Sequence, residues 1–135
     1  MLIRRQIKRL VVTAVVSVGL MTGATGGFYV YLQSTGNFRV VEKGLYYRSG
    51  QLSDPQLNQV IISNGIRSIL NLRGASPGTE WYDDEIAISN SRQVVHYDYG
   101  ISASRFVTPA QSEEILRIIR DAPKPILVHC QAGSD

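Results

Sequence analysis

Hydrophobic and polar positions divide the chain into two unlike parts. From Leu10 to Leu32, 23 residues run without a charged side chain, and Leu10 to Met21 is apolar on every face of a helix. At 1.5 Å rise per residue that length crosses a hydrocarbon core of ~30 Å. Phe28, Tyr29 and Tyr31 fall where an interfacial aromatic belt would sit. The pattern predicts a transmembrane anchor within residues 1–36, ending in a short polar linker, Gln33 to Asn37.

From residue 37 the pattern alternates between strand and helix. Phe38–Val41 and Leu45–Tyr47 read as strands around a turn at Glu42–Gly44. Ser53, Pro55 and Gln56 open a helix that presents Leu57, Val60 and Ile61 and stops at Asn64-Gly65. Ile66–Leu72 is a β-rich run ended by Gly74. Thr79 caps a helix to about Ser89, with Glu80, Asp83 and Asp84 in early turns, where the helix dipole favours acids. Gln93–Tyr97 is the next strand. Thr108, Pro109 and Gln111 repeat the capping pattern for a helix with Ile115, Ile118 and Ile119 inward, ending near Asp121. Ile126–His129 is a buried strand. This order predicts an α/β domain over residues 37–135, with a mainly parallel central sheet and helices on both faces. Ligands of such sheets bind at the carboxyl ends of strands, and Cys130–Asp135 lies at one of them.

Charge changes the picture of the first part. Arg4, Arg5, Lys8 and Arg9 precede the apolar run, and no charged residue follows until Arg39. The positive-inside rule then places the N-terminus in the cytoplasm and the domain outside it. The expectation is a single-pass protein of a bacterial inner membrane, with its domain facing the periplasm or exterior. A cleavable signal peptide is the alternative, with Ala24-Thr25-Gly26 as small residues near a cleavage site. A twin-arginine address at Arg4-Arg5 fits the following residues poorly. The rest of the chain has 10 basic residues against 11 acidic ones, so the net charge of +3 belongs to the tail. It gives no argument for nucleic acid. One cysteine excludes an intramolecular disulfide and a multi-thiolate metal site, and His96 and His129 have no zinc spacing. No metal and no cofactor are expected.

The chemistry is concentrated in the last residues. A buried strand delivers Cys130 into a short loop with a glycine, Gly133, which permits a close turn. Successive backbone N–H groups can converge on an oxyanion in such a loop. A thiolate among those donors is stabilised as a nucleophile.

Val128-His129-Cys130-Gln131-Ala132-Gly133-Ser134-Asp135 resembles the phosphate-binding loop, His-Cys-x5-Arg, of the cysteine-dependent protein-tyrosine and dual-specificity phosphatases. Asn37-Phe-Arg-Val-Val41, Tyr47-Arg-Ser-Gly-Gln51, Asn71-Leu-Arg-Gly74 and Ser102-Ala-Ser-Arg105 resemble the bacterial dual-specificity-like branch in the same order. The resemblance covers about residues 37–135. It implies hydrolysis of a phosphorylated protein or a small phosphomonoester through a cysteinyl-phosphate on Cys130. It also implies an arginine directly after Asp135, whose guanidinium clamps two phosphate oxygens, followed by a helix. The sequence is therefore read as a phosphatase piece truncated inside its motif and by itself inactive. An inactive phosphate-binding or interaction module is the alternative. Rhodanese-like sulfurtransferases share a cysteine in a strand-end anion loop, but His129 and Asn71–Gly74 favour the phosphatase.

The general acid implied by the resemblance is Asp98, which follows a strand and precedes the loop Gly100–Ser104. Asp135 inside the phosphate loop is its rival, and Asp83 and Asp84 are further options. His129 is expected to orient the loop, and His96 is assigned no role. Arg48 and Arg73 follow strands and are expected to pair with Asp83-Asp84-Glu85, with lining of the pocket as the alternative, and Trp81 and Tyr82 are expected to pack on a helix face. Leu127 and Val128 point to opposite faces, so without the following helix one of them is expected to face a gap.

Overall fold

The computed structural model describes residues 2–102 and 105–133; within the first helix, side chains are described at 13–28, 30, 31 and 35. The chain divides into two compact units, Met1–Thr35 and Gly36–Asp135.

The first unit is one helix, α1 (Leu2–Thr35), which takes in the basic residues and the first part of the expected linker. The Thr22 and Thr25 hydroxyls donate to the carbonyls of Val18 and Met21 one turn back, so these polar side chains are satisfied within the helix. The helix is recovered, but the transmembrane anchor is not: among the described residues, no helix is long and apolar enough to cross a membrane. The side chains of Leu10, Val11, Val12 and Leu32, which the expected span includes, lie outside the described residues.

The second unit is an α/β sandwich with elements β1 (Arg39–Glu42), β2 (Tyr46–Ser49), α2 (Asp54–Asn64), β3 (Ser68–Asn71), α3 (Glu80–Ser91), β4 (Val95–Asp98), α4 (Pro109–Asp121) and β5 (Ile126–His129). The sheet order is β1-β2-β5-β3-β4, antiparallel only between β1 and β2. The capping signals act as expected: the Gln56 and Gln111 side chains reach back to the backbone N–H groups of Ser53 and Thr108.

Strand β5 lies in the middle. Leu127 is in register with Tyr47 on one side and Ile69 on the other, and His129 with Ser49 and Asn71. Alternation along the strands sends their side chains to two cores. Tyr47, Ile69 and Leu127 pack with Leu57 and Ile61 of α2 and with Ile88 of α3. Leu70, Ile126 and Val128 pack with Ile115, Ile118 and Ile119 of α4. Ile69, Leu70, Ile126 and Leu127 have no exposed surface, as expected of a parallel sheet covered on both faces. Val128 is only half-buried and lines a cavity, so of the pair Leu127 and Val128 it is the one that faces incomplete cover.

Candidate active site

Strand β5 ends at His129, and the chain turns at once into the loop that begins with Cys130. The Cys130 side chain is 5% exposed, and the Gly133 N–H donates to its Sγ at 3.0 Å. Groups from two distant segments shape this turn. The Gln51 N–H donates to the Gln131 carbonyl at 3.1 Å. The Asn37 amide donates to the Ala132 carbonyl at 3.1 Å and to the Gly133 carbonyl at 3.2 Å. In a trans peptide the C=O and the following N–H point in opposite directions. Holding the Ala132 carbonyl outward therefore turns the Gly133 N–H inward, toward sulfur.

Two glycines make the packing possible. Gly133 has φ of 75°, and a Cβ there would lie 2.5 Å from the Gly50 nitrogen. A Cβ on Gly50 would in turn meet the Ala132 carbonyl carbon at 3.0 Å. The loop lies backbone against backbone on the end of β2, with no room for a side chain between them.

A small cavity of about 30 Å³ opens beside the thiol, lined by Arg48, Ser49, Val128, Cys130 and Gly133 among others. At ~10–15 Å³ per water it holds one or two waters. The Ser49 hydroxyl is buried and has no hydrogen-bond partner among the described residues. Ser134 and Asp135, predicted as the end of the phosphate loop, lie outside the described residues.

Behind the loop runs a buried polar network. His129 Nε2 is 2.9 Å from Glu85 Oε1, and His96 Nε2 reaches the same oxygen at 2.8 Å. Gln51 Nε2 donates to Glu85 Oε2 at 3.0 Å. Burial alone would raise the Glu85 carboxyl, but the hydrogen bonds from His129 and His96, with that from Gln51, hold it at about 2, below the ordinary 4.5. Asp98 stands at the end of β4, opposite Asn71, and Asn71 in turn is opposite His129. At ~4.8 Å per strand spacing, Asp98 is about 10 Å across the sheet from β5. Its carboxylate accepts from Asn71 Nδ2 at 2.8 Å and from the Tyr82 hydroxyl at 2.7 Å, with His96 Nδ1 at 3.6 Å. The hydrogen bond to Asp98, together with burial, pushes the Tyr82 phenol up to about 12.

Comparison with known proteins bears on this arrangement. No protein-family model and no curated protein matches the sequence. Solved structures do match. The core catalytic domain of the PP-IP phosphatase Siw14 from S. cerevisiae, in complex with citrate, superposes with a TM-score of 0.61 at 24% identity, over 72% of this chain and 57% of that one. A second structure of the Siw14 catalytic core gives 0.61 at 22% identity, over 72% and 57%. TpbA of P. aeruginosa gives 0.57 at 17% identity, over 73% and 56%. The second unit has the fold of these proteins. The chain thus spans 57% of the length of the Siw14 core.

Within the Siw14-like fold, Cys130, His129, Gln131, Ala132 and Gly133 come together as the sequence predicts, at the carboxyl end of the central strand. Asp98 lies in the adjoining network with its carboxylate already engaged. Two expectations fail. Arg73 does not pair with the acidic cluster: its Nη1 donates to Gln51 Oε1 at 2.8 Å, and its guanidinium lies 3.6 Å from the centre of the Trp81 ring. Stacking on an indole suits the flat guanidinium, and Trp81 is more than helix-face packing. Arg48 lines the cavity beside Cys130 instead of pairing with α3. Sequence reasoning also missed His96 and Glu85 as partners. Glu85 falls one helical turn after the buried Tyr82 and one before the buried Ser89, a spacing that marks the buried side of α3 and separates it from Asp83 and Asp84.

Proposed function

We propose that residues 37–135 form the nucleophile-bearing part of a cysteine-dependent phosphomonoester hydrolase. The observation that carries this reading is the Gly133 N–H held 3.0 Å from Cys130 Sγ by a loop whose outer carbonyls are tied to Gln51 and Asn37. Such a turn stabilises negative charge at its centre, first on sulfur and then on transferred phosphoryl oxygens.

In the proposed reaction the Cys130 thiolate attacks phosphorus, forming an S–P bond as the P–O bond to the leaving group breaks. A carboxylic acid gives its proton to the leaving oxygen. Water then attacks phosphorus, the same carboxylate takes its proton, and phosphate and thiolate separate. Asp98 is the proposed acid, and Asp135 is its rival. Asp98 is carried on β4 next to the loop 99–105, and would need to exchange its Tyr82 and Asn71 partners for the leaving group. The arginine that the family motif places after Asp135 would clamp two equatorial oxygens. The substrate class is a phosphomonoester, on a protein or on a phosphorylated small molecule of the kind named for Siw14.

A second reading, binding of phosphate without turnover, is favoured by one observation: among the described residues near the thiol, Arg48 is the cation that lines the cavity. The 135-residue chain is therefore proposed to turn over slowly or not at all until the motif arginine is supplied. Hydrolysis of p-nitrophenyl phosphate by this chain and by a version extended with arginine and the following segment separates the two readings. Activity gained on extension and abolished by Cys130→Ser supports the hydrolase; phosphate binding without turnover in both supports the module.

Location outside the cytoplasm is proposed from the charge asymmetry of the first 39 residues. A reporter active only outside the cytoplasm, fused after Asp135, tests it. An intact N-terminus in the membrane fraction supports an anchor, and a cleaved one supports a signal peptide.

A further inference from the structure

Ser49, Ser68 and Ser89 are buried equally deeply in the second unit. The Ser68 hydroxyl donates to the Pro123 carbonyl at 2.6 Å, and the Ser89 hydroxyl to the Glu85 carbonyl at 2.7 Å. The Ser49 hydroxyl differs from both, because it has no partner among the described residues. A buried hydroxyl without a partner destabilises the chain that holds it, and an alanine would fill the same place without that cost.

This hydroxyl stands where the proposed chemistry is. Ser49 ends β2, in register with His129 of β5, and lines the cavity of about 30 Å³ together with Cys130. The loop backbone rests on Ser49 itself: a Cβ on Gly133 would lie 2.7 Å from the Ser49 carbonyl carbon. Gly133, whose N–H points at Cys130 Sγ, lines the cavity too. So does Arg48, which forms no ion pair and no side-chain hydrogen bond among the described residues. A cation, a hydroxyl donor and a backbone donor therefore border one small space beside the cysteine, with Leu72 and Val128 as its apolar wall. That set suits an anionic oxygen. One or two oxygen-sized groups fit the space, at ~10–15 Å³ each, and a whole phosphate does not.

We propose that Ser49 is a phosphate-binding residue supplied from outside the nucleophile loop, its hydroxyl donating to the one oxygen of a phosphoryl group that enters this cavity when the group binds at Cys130. The hydroxyl is already buried and held by β2 before the anion arrives, so binding gains a hydrogen bond without ordering a new side chain. Arg48 adds its charge at the same wall. The proposal rests on the reading of Cys130 as the nucleophile of a phosphomonoester hydrolase, and it gives β2 a direct part in holding the substrate.

Urea unfolding of the full 135-residue chain, with and without inorganic phosphate, tests it. Without phosphate, Ser49→Ala should unfold at the same urea concentration as the unsubstituted chain or a higher one, because no hydrogen bond is lost. Phosphate binds the folded form and should raise the midpoint of the unsubstituted chain. In Ser49→Ala its dissociation constant should rise about tenfold, the scale of one hydrogen bond to a charged group. A lower midpoint without phosphate would show that the hydroxyl serves the fold, and an unchanged phosphate affinity would show that water serves it. Either result overturns the proposal, as does a chain that binds no phosphate at all. A second measurement needs no variant: added phosphate should shift the Ser49 side-chain NMR signals and leave those of Ser68 and Ser89 in place, and an unmoved Ser49 overturns the proposal. Turnover of p-nitrophenyl phosphate by the extended chain is followed separately. Turnover unaffected by Cys130→Ser removes the hydrolase reading, while phosphate binding at Ser49 is decided by the unfolding and NMR results.

Discussion

Asn37 and Gly133 are 96 residues apart in sequence and are joined by one hydrogen bond of 3.2 Å from the Asn37 amide to the Gly133 carbonyl. The same amide holds Ala132. Asn37 lies just before the edge strand β1, so the edge of the sheet governs the shape of a loop at its centre. The positive φ of Asn37, 50°, is one that asparagine tolerates better than most side chains.

Asn37→Ala should therefore loosen the loop more than it disturbs the sheet. Two loop carbonyls lose their partner, and a stability loss of ~1–2 kcal/mol is expected in denaturant unfolding. In the extended, active form kcat should fall about 10²-fold, the scale of one lost oxyanion donor. An unchanged kcat alongside reduced stability would make Asn37 a purely structural tie.

Gly133→Ala should be more severe. The new Cβ meets backbone atoms at 2.5 Å and the residue sits at φ of 75°, so both contact and conformation are strained. The loop must move away from Gly50, and a loss of at least ~1–3 kcal/mol is expected. Phosphate binding measured by calorimetry should disappear even in variants that remain folded.

Stability should fall in acid through Glu85. Its carboxyl titrates at about 2 in the folded chain against 4.5 as the ordinary value. A depressed carboxyl stabilises fully above the unfolded value and loses its contribution as pH falls from 4.5 toward 2. The loss should amount to roughly 3 kcal/mol, read as a drop in the denaturant midpoint. Glu85→Gln should flatten that pH dependence.

Leu127→Ala should cost ~2–5 kcal/mol, because Leu127 is fully buried between α2, α3 and the sheet. Val128→Ala should cost about 1 kcal/mol, because Val128 is half-buried beside a cavity. Equal costs at the two positions, measured by urea unfolding, would mean that the α4 face is closed around Val128.

The sequence made the second unit legible to within a residue or two per element, because local signals and long-range packing agree there. Ser53 and Thr108 cap helices where their spacing says they should, and Ile126 and Leu127 are buried on opposite faces of the sheet. The turn after β5 was legible from Cys130 and Gly133 alone. The partners behind it were not. Glu85 sits in a run of three acids, and its partners come from three other segments that only the fold brings together. Arg73 was read as an ion-pair partner because charge is visible in sequence, whereas its stacking on Trp81 depends on where the β3 turn meets α3. The apolar N-terminal run was legible as a helix. Its reading as a membrane span draws on Leu10, Val11, Val12 and Leu32, whose side chains lie outside the described residues.

The strand order has a consequence for how the chain is made. β2 and β3 each border β5 and never each other, so the sheet is two separate pieces until residues 126–129 are inserted between them. Tyr46 waits for Ile126, eighty residues downstream, before it gains its parallel neighbour. A ribosome releasing this polypeptide exposes two half-sheets with unpaired inner edges until residues 126–129 emerge, at ~5–20 residues per second. The strand that leads into Cys130 is the keystone of the sheet, and the domain acquires its architecture and the loop after that strand in the same step.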